Sequence, residues 1–366
     1  MRVGLDYRPG ISNPNNGIGR QNVALAKVLG ELPGVDLHLF TPAPAGHPLR
    51  GRAHCPRWES PVEGQQRLPR RLRFELCYMP WALRQSEIDV HICTFNMGLP
   101  LPPRPVGVRY VLQLHDLFQL HLKNHHSTWL RETVYRISDN LSICYAVYAA
   151  DRIWTPSQYS ADEVVRVFPS AANKVRVLPN LVPAFTLESV MPALPLPSRF
   201  WLLVGTREPR KNISWFIEHW LKARTANPAI PDLVLVGGGE FVPSEQRALP
   251  GVHLMPVLDD AELHGLYKAA ERLWHPSYAE GFGLPVIEAM AAGTPVAVAS
   301  GTSLDEIVPP DTPRFSPYDE AAVVELMHRL AHPEDPDRQA LRDWAHRYSE
   351  QPYRARVAEL LQELQA

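Results

Sequence analysis

Two doubly wound α/β domains, each a parallel sheet wrapped by helices, are what the chain's pattern predicts, and three observations carry that prediction. Apolar stretches of strand length alternate with runs of helical period. The alternation runs through the first half and restarts in the second, and residues 182–198 between the two series carry Pro183, Pro192, Pro195 and Pro197 without periodicity. At 366 residues the chain also exceeds the usual size of one domain, so two cores of ordinary size are expected.

In order, residues 2–5 read as a first strand, followed by a polar loop and a helix beginning near Arg20. Strands follow at 37–40, 90–94, 110–114, 152–155 and 175–178. The second series opens with the apolar run 200–204 and continues at 233–236, 253–256, 273–274 and 295–299, each followed by a loop and a helical run. Residues 338–366 set Val357, Leu360, Leu361 and Leu364 at helical spacing, a face able to pack back across the proline-rich linker. The expected domains are therefore 1–185 and 186–347, with 348–366 as a helix returning to the first. Open parallel sheets bind ligands outside the carboxyl ends of their strands. Two such domains facing each other make a cleft, with the chemistry in loops that follow strands.

Composition narrows the function. A formal net charge of −2 gives no general argument for a nucleic-acid partner, and 45% hydrophobic residues suit a packed core. The start of the chain reads as a strand and not a signal peptide, and no apolar run approaches the roughly 20 residues needed to span a bilayer. A soluble or at most peripheral protein is expected. Cys55, Cys77, Cys93 and Cys144 are widely spaced and form no C-x-x-C pair, which suits a reducing cytoplasm.

Residues 275–290 are the most informative stretch. Glu280 and Glu288 stand on either side of a glycine-punctuated loop that opens a helix: Pro285 suits a first helical position, and Gly293 and Pro295 end the run. The backbone donors of Phe282, Gly283 and Leu284 are expected to face outward at the positive end of that helix, where a diphosphate docks without a metal. One carboxylate can then meet a hexose and the other ribose hydroxyls. The plainer reading is a solvated loop acid and an acid favoured by the helix dipole.

Residues 205–212 follow a strand with Arg207, Arg210 and Lys211 beside a helix start near Ile213. Three cations there can neutralise a departing diphosphate, or form a solvated basic loop. After the first strand, Gly17 and Gly19 allow backbone amides to approach phosphate or an acceptor, although the spacing is not a full G-x-G-x-x-G and an ordinary helix start explains it equally. His115 and Asp116 end another strand, where the imidazole can hold a sugar hydroxyl or be a capped strand-end histidine. His121, His125 and His126 lack a carboxylate or cysteine to complete a metal set, so no metal is expected. Arg67, Arg70, Arg71 and Arg73 interleave with Leu68, Leu72, Phe74, Leu76, Tyr78 and Trp81, either a face for anionic lipid or a helix with a solvated basic side.

With these loops in order, nearly the whole chain resembles the retaining glycosyltransferases of family 4, which share the two-domain GT-B architecture. The most specific part is Glu280 and Glu288 with seven residues between, followed by the run 289–296. The 205–212 loop is similar to the family's phosphate loop, and Gly17-Ile18-Gly19, His115-Asp116 and Pro179-Asn180 fall where the family has them. The resemblance implies a donor held mainly by the second domain and an acceptor by the first. It makes Lys211 a diphosphate ligand, Glu280 the carboxylate near the donor hexose, Glu288 the ribose ligand, and His115 a group close to the transferred sugar. The amides of Phe282, Gly283 and Leu284 take sugar and phosphate. Relatives often carry Arg immediately after the glycine; here it is Thr206, with Arg207 or Arg210 as substitute.

The implied mechanism is front-face attack, with the leaving diphosphate accepting the acceptor's proton, no divalent metal for the departing charge and no cofactor. The form of 209–212 looks most like bacterial polysaccharide mannosyltransferases and rhamnosyltransferases, implying GDP-mannose or a related GDP-hexose, with UDP-glucose open. The implied acceptor is a glycan or lipid-linked glycan at the cytoplasmic face of the membrane. A sugar-nucleotide epimerase of the same fold and a non-catalytic sugar-nucleotide-binding protein are the competing readings.

Overall fold

A computed structural model describes residues 1–42, 51–57, 67–121, 129–182, 188–206, 208–332 and 337–365. By internal contacts the chain divides into Met1–Leu181 with Gln351–Ala366, and Val182–Glu350.

The first unit is a parallel sheet of β1 (Arg2–Asp6), β2 (Asp36–Phe40), β3 (Arg52–His54), β4 (Val90–Cys93), β5 (Arg109–Gln113), β6 (Arg152–Thr155) and β7 (Val175–Val177) in the order β3-β2-β1-β4-β5-β6-β7. The chain winds outward from β1 to β3 and then restarts at β4 on the other side of β1, so β1 and β4 flank the point where the winding reverses. Side chains alternate between two cores. Val3 and Leu5 face one, with the helix Gly17–Glu31 and Tyr353, Val357, Leu360 and Leu361 of the helix Glu350–Glu363, whereas Tyr110 and Leu112 face the other. β3 has no counterpart in the sequence expectations. Its Arg-Ala-His is short, polar and half-exposed, an edge strand that needs no apolar run.

The second unit holds β8 (Phe200–Val204), β9 (Asp232–Val236), β10 (Val252–Met255), β11 (Arg272–His275), β12 (Val296–Ala299) and β13 (Arg314–Phe315), all parallel, in the order β10-β9-β8-β11-β12-β13. Its winding reverses between β8 and β11. The continuous apolar runs have the physical reason expected of a sheet covered on both faces. Val234 and Val236 enter one core and Leu233 and Leu235 the other. Each such burial stabilises by about 1.5–3 kcal/mol. Trp201, Phe216 and Phe315 surround Trp274, with ring centroids 5.0, 5.2 and 5.7 Å from it. The two-residue β13 was also not anticipated, being too short to show a period.

The described part of the proline-rich stretch lies along this unit. Val190 N–H donates to the Ala261 carbonyl (3.1 Å), and its own carbonyl sits so close to Gly265 that an added Cβ would lie 2.2 Å away.

Candidate functional site

The winding reversal in the second unit places two loops side by side at the carboxyl ends of β8 and β11, the usual position for a ligand in an open parallel sheet. From β8 the chain passes through a short turn, Pro209–Lys211, and Asn212 in the left-handed region (φ 58°), into the helix Ile213–Ala226. From β11 it passes through 276–283 into the helix Leu284–Ala291. Glu208, Arg210 and Lys211 arrive on the first loop and Glu280 on the second. Arg207 lies outside the described residues.

The two loops are stitched together. Tyr278 N–H and Ser277 Oγ both donate to the Arg210 carbonyl (3.1 Å each), and Arg210 Nη1 donates to the Ala279 carbonyl at 2.8 Å. Three donors then converge on one oxygen of Glu280. Lys211 Nζ is 2.6 Å from Oε2, His275 Nε2 3.0 Å and Arg210 Nη1 3.1 Å. Arg210 also spans to Glu208 through Nε at 2.6 Å. Lys211, His275 and Glu280 are buried, while Arg210 is half-buried and Glu208 exposed.

The electrostatics follow from burial and from that convergence. Burial alone would raise the Glu280 carboxyl, but the Lys211 ammonium, Arg210 and the His275 bond overturn it and hold the group well below the usual carboxylate range. Burial draws Lys211 down against the pull of Glu280. His275 is pushed down to about 4 by burial and the adjacent Lys211, so at neutral pH it is an uncharged imidazole. Its Nε2 lies 3.4 Å from Lys211 Nζ and 3.0 Å from Glu280 Oε2, and because the nearer carboxylate only accepts, the ring proton is assigned to Nε2 and the bond with Glu280.

Beyond Glu280, Gly283 adopts φ 107° as the residue capping the helix, and a Cβ there would meet Leu304 Cδ2 at 2.6 Å. Only glycine fits. Ser303 Oγ lies 2.8 Å from the Glu280 carbonyl and 3.1 Å from that of Phe282, fixing the loop. Val286 N–H returns to the Gly283 carbonyl (3.0 Å) and Pro285 has no N–H, so Phe282, Gly283 and Leu284 carry the donors that helix geometry leaves without intrahelical acceptors. Glu288 is buried five residues into the helix and accepts from the Tyr267 hydroxyl at 3.0 Å.

Thr206, where relatives often have Arg, does different work. It is buried, and its hydroxyl accepts from Gly239 N–H (3.1 Å), tying the β8 and β9 loops together. Arg210 is the described arginine that shares Glu280 with Lys211.

The candidate residues of the first unit lie at its own strand ends. His115 is buried after β5, its Nε2–H donating to the Thr94 carbonyl (2.9 Å) and its N–H to Asn96 Oδ1 (2.9 Å), and burial pushes it down to about 4. Asp116 accepts from Phe118 N–H at 3.2 Å, a local turn cap. The expected polar loop after β1 contains a short helix, Arg8–Ser12, and the long helix then starts at Gly17, three residues earlier than expected, because Asn16 Oδ1 caps it by accepting from Gly19 N–H (2.7 Å). That amide is spent on the cap and is not offered to phosphate. Gly19 is required for another reason: a Cβ would lie 1.9 Å from the Asn13 carbonyl.

Sequence reasoning missed the charges at this unit's reversal point. Arg8 forks onto Asp6 (Nε–Oδ1 3.0 Å, Nη2–Oδ2 2.7 Å), reaches Glu75 Oε1 at 3.1 Å, and lies 4.4 and 4.8 Å from the ring centres of Phe74 and Phe95. The basic segment near it is less of a face than expected. Arg71 is buried, donating to Asp139 (3.0 Å), Ser138 (3.0 Å) and Ser142 (2.9 Å), and Phe74 and Tyr78 join the core. Arg67, Arg73, Leu76 and Trp81 remain exposed. His125 and His126, and the side chain of His121, lie outside the described residues. Among the described residues no helix is long and apolar enough to cross a membrane.

Known proteins share this pattern. A model described as Glycosyltransferase Family 4 matches residues 15–184, and one described as Glycosyl transferases group 1 matches 199–332. O-antigen chain mannosyltransferase B of Escherichia coli is 32% identical over 180 residues, 44% of this chain and 46% of that protein. The chain thus spans about half the length of that relative. O-antigen chain mannosyltransferase RfbU of Salmonella typhimurium is 24% identical over 235 residues, 63% of this chain and 61% of that one. Among solved structures, sucrose-phosphate synthase from Thermosynechococcus elongatus matches with a TM-score of 0.73 at 19% identity, covering 100% of this chain and 99% of that one. WaaG, a glycosyltransferase involved in lipopolysaccharide biosynthesis, matches at 0.65 with 15% identity, covering 98% and 99%. At such identities these structures speak for the fold, the GT-B pair of doubly wound sheets.

Proposed function

The chain belongs to the family 4 glycosyltransferases, and we propose that it transfers a hexose from a nucleoside diphosphate sugar to a glycan or lipid-linked glycan in bacterial polysaccharide synthesis. The observation that carries this is the convergence of Lys211, Arg210 and His275 on Glu280 at the reversal point of the second sheet, beside the amides of Phe282, Gly283 and Leu284. Two cations and a helix start suit a departing diphosphate, and a carboxylate next to them suits sugar hydroxyls. Glu288 and Tyr267 suit the ribose. The charge developing on the leaving group is met by side chains and amides, so the step proceeds without a divalent metal and needs no cofactor. Retention, which the family resemblance implies, would then proceed by front-face attack, the diphosphate taking the acceptor's proton.

The named mannosyltransferase relatives support mannose as the sugar, and GDP-mannose or a related GDP-hexose is the donor of this reading. The acceptor would be met at the cytoplasmic face of the membrane, with Arg67, Arg73, Leu76 and Trp81 as a peripheral contact. A thermal-shift series with GDP, UDP and ADP tests the donor site, since a ligand at 100 times its Kd stabilises the folded state by about 2.7 kcal/mol. GDP should raise the melting temperature most. Labelled sugar transferred to glycan in the presence of a chelator, with the anomeric configuration read by NMR, tests reaction, metal independence and retention together. Recovery of only an isomerised sugar nucleotide would instead make the protein an epimerase.

A further inference from the structure

The three groups that hold Glu280 are chemically unequal. Lys211 and Arg210 are cations, and in the hexosyl-transfer reading above they receive the diphosphate. His275 is uncharged and is the last residue of β11, at 1% exposure. In the protein as it stands, the Glu280 carboxylate occupies the place at Lys211 and Arg210 that an incoming diphosphate would claim. Donor binding is then an exchange of anions: the diphosphate takes the cations and Glu280 must give up at least part of both bonds. A carboxylate released that way would face another anion in a buried site, an unfavourable arrangement unless a further donor keeps it.

We propose that His275 is the positioning residue for this exchange: its Nε2–H, 3.0 Å from Glu280 Oε2, retains the carboxylate and keeps it turned toward the donor hexose while the diphosphate engages Lys211 and Arg210. The inference rests on the donor reading of the site and adds a residue to it. The geometry makes the assignment specific. The imidazole is on a strand and not on either loop, so it does not travel with the loops when the cations shift. Its proton is assigned to Nε2 because the nearer neighbour, Glu280 Oε2 at 3.0 Å, can only accept, and the other tautomer would set a ring lone pair against the carboxylate. Glu280 is five residues further along the chain, across the loop whose carbonyls Ser303 holds, so the ring braces the side chain and Ser303 the backbone.

The test compares His275→Phe, which keeps a ring but loses the donor, with His275→Gln, whose amide restores an N–H at similar reach. Binding of GDP and UDP is measured by calorimetry, and hydrolysis of GDP-mannose and UDP-glucose, in which water takes the sugar and the nucleoside diphosphate is released, gives kcat and KM without the glycan acceptor. His275→Phe should bind the nucleoside diphosphate within about threefold of the unaltered protein while kcat falls about 30-fold, the loss expected for a hydrogen bond to a charged group. His275→Gln should recover to within about fivefold. A Phe variant with normal kcat overturns the proposal. So does one whose nucleotide affinity and kcat fall in parallel, which marks a structural role, and so does a well-folded Gln variant as slow as Phe. An unaltered protein that neither binds these diphosphates nor turns over their sugars overturns the donor reading itself, and this inference with it.

Discussion

The two units reverse their winding at matching places, between β1 and β4 in one and between β8 and β11 in the other, and each sets ionised side chains there. In the first, Arg8 is forked onto Asp6, bonded to Glu75 and faced by Phe74 and Phe95, with side-chain exposures of 3, 0 and 3% for Arg8, Asp6 and Glu75. Nε and Nη2 of Arg8 are bonded to buried carboxylates and to the Gly98 carbonyl, which is how a charge is used to hold a scaffold. In the second, three donors crowd one oxygen of one carboxylate, and the arginine stays half-buried. Those are the bonds that the proposed exchange with an incoming diphosphate would trade. The same topology thus holds a sealed charge cluster in one unit and an anion-ready one in the other.

The largest effect that can break this contrast is at Lys211. Lys211→Ala should lower hexose transfer by about a thousandfold, roughly 4 kcal/mol of lost stabilisation of the leaving charge, with the melting temperature little changed because Arg210 and His275 still hold Glu280. A transfer rate near normal would remove Lys211 from the chemistry. The sealed cluster should respond in the opposite currency. Arg8→Met leaves Asp6 and Glu75 buried without their cation and should cost about 3 kcal/mol of stability in urea unfolding. Binding of a nucleoside diphosphate to the folded fraction should be unaltered, and a loss of binding would show that the first cluster is not a scaffold.

A smaller change sharpens the second cluster. Glu288→Ala should weaken donor binding by about tenfold in calorimetry, the loss of charge-assisted bonds to ribose hydroxyls, without altering the Lys211 and Glu280 contact. Equal affinity for the nucleotide in both proteins would leave Glu288 as nothing more than the partner of Tyr267.

How far the sequence revealed this depends on what each feature requires. Strands covered on both faces, such as β9, announce themselves as continuous apolar runs, and the Glu280 to Glu288 helix start is written in Gly283, Pro285 and Gly293. β3 and β13 are edge strands without apolar runs, so they carry no signal. Side-chain partnership is harder. Arg71 reads as one more solvated arginine until Asp139, Ser138 and Ser142, far along the chain, are brought to it. Gly19 reads as a phosphate-loop glycine, yet the close Asn13 carbonyl is what requires it. His275 opens the most informative stretch and still carried no expectation, because its role depends on which way a strand-end ring points. His115 was expected from resemblance, whereas its bonds in the folded chain run to the Thr94 carbonyl and the Asn96 side chain.

Those two histidines give the finest comparison, because burial pushes both down to about 4 while their partners differ. An unfolded chain takes up the imidazole proton near pH 6.5, and the folded one resists until about 4. Between these values the unfolded state binds more protons, so each group's contribution is complete above about pH 6.5 and is lost as the pH falls. By pH 6 the loss is about 1 kcal/mol for each histidine. His115→Gln should abolish that share of the acid sensitivity in the amide protection of β5 and leave β11 unchanged, and His275→Gln should do the reverse. Turnover of the nucleotide sugar by His275→Gln should stay within about fivefold of the unaltered protein. If hydrogen exchange showed His275→Gln flattening the acid limb in β5 as well, the two histidines could not be treated as independent titrating groups, and the comparison between them would fail.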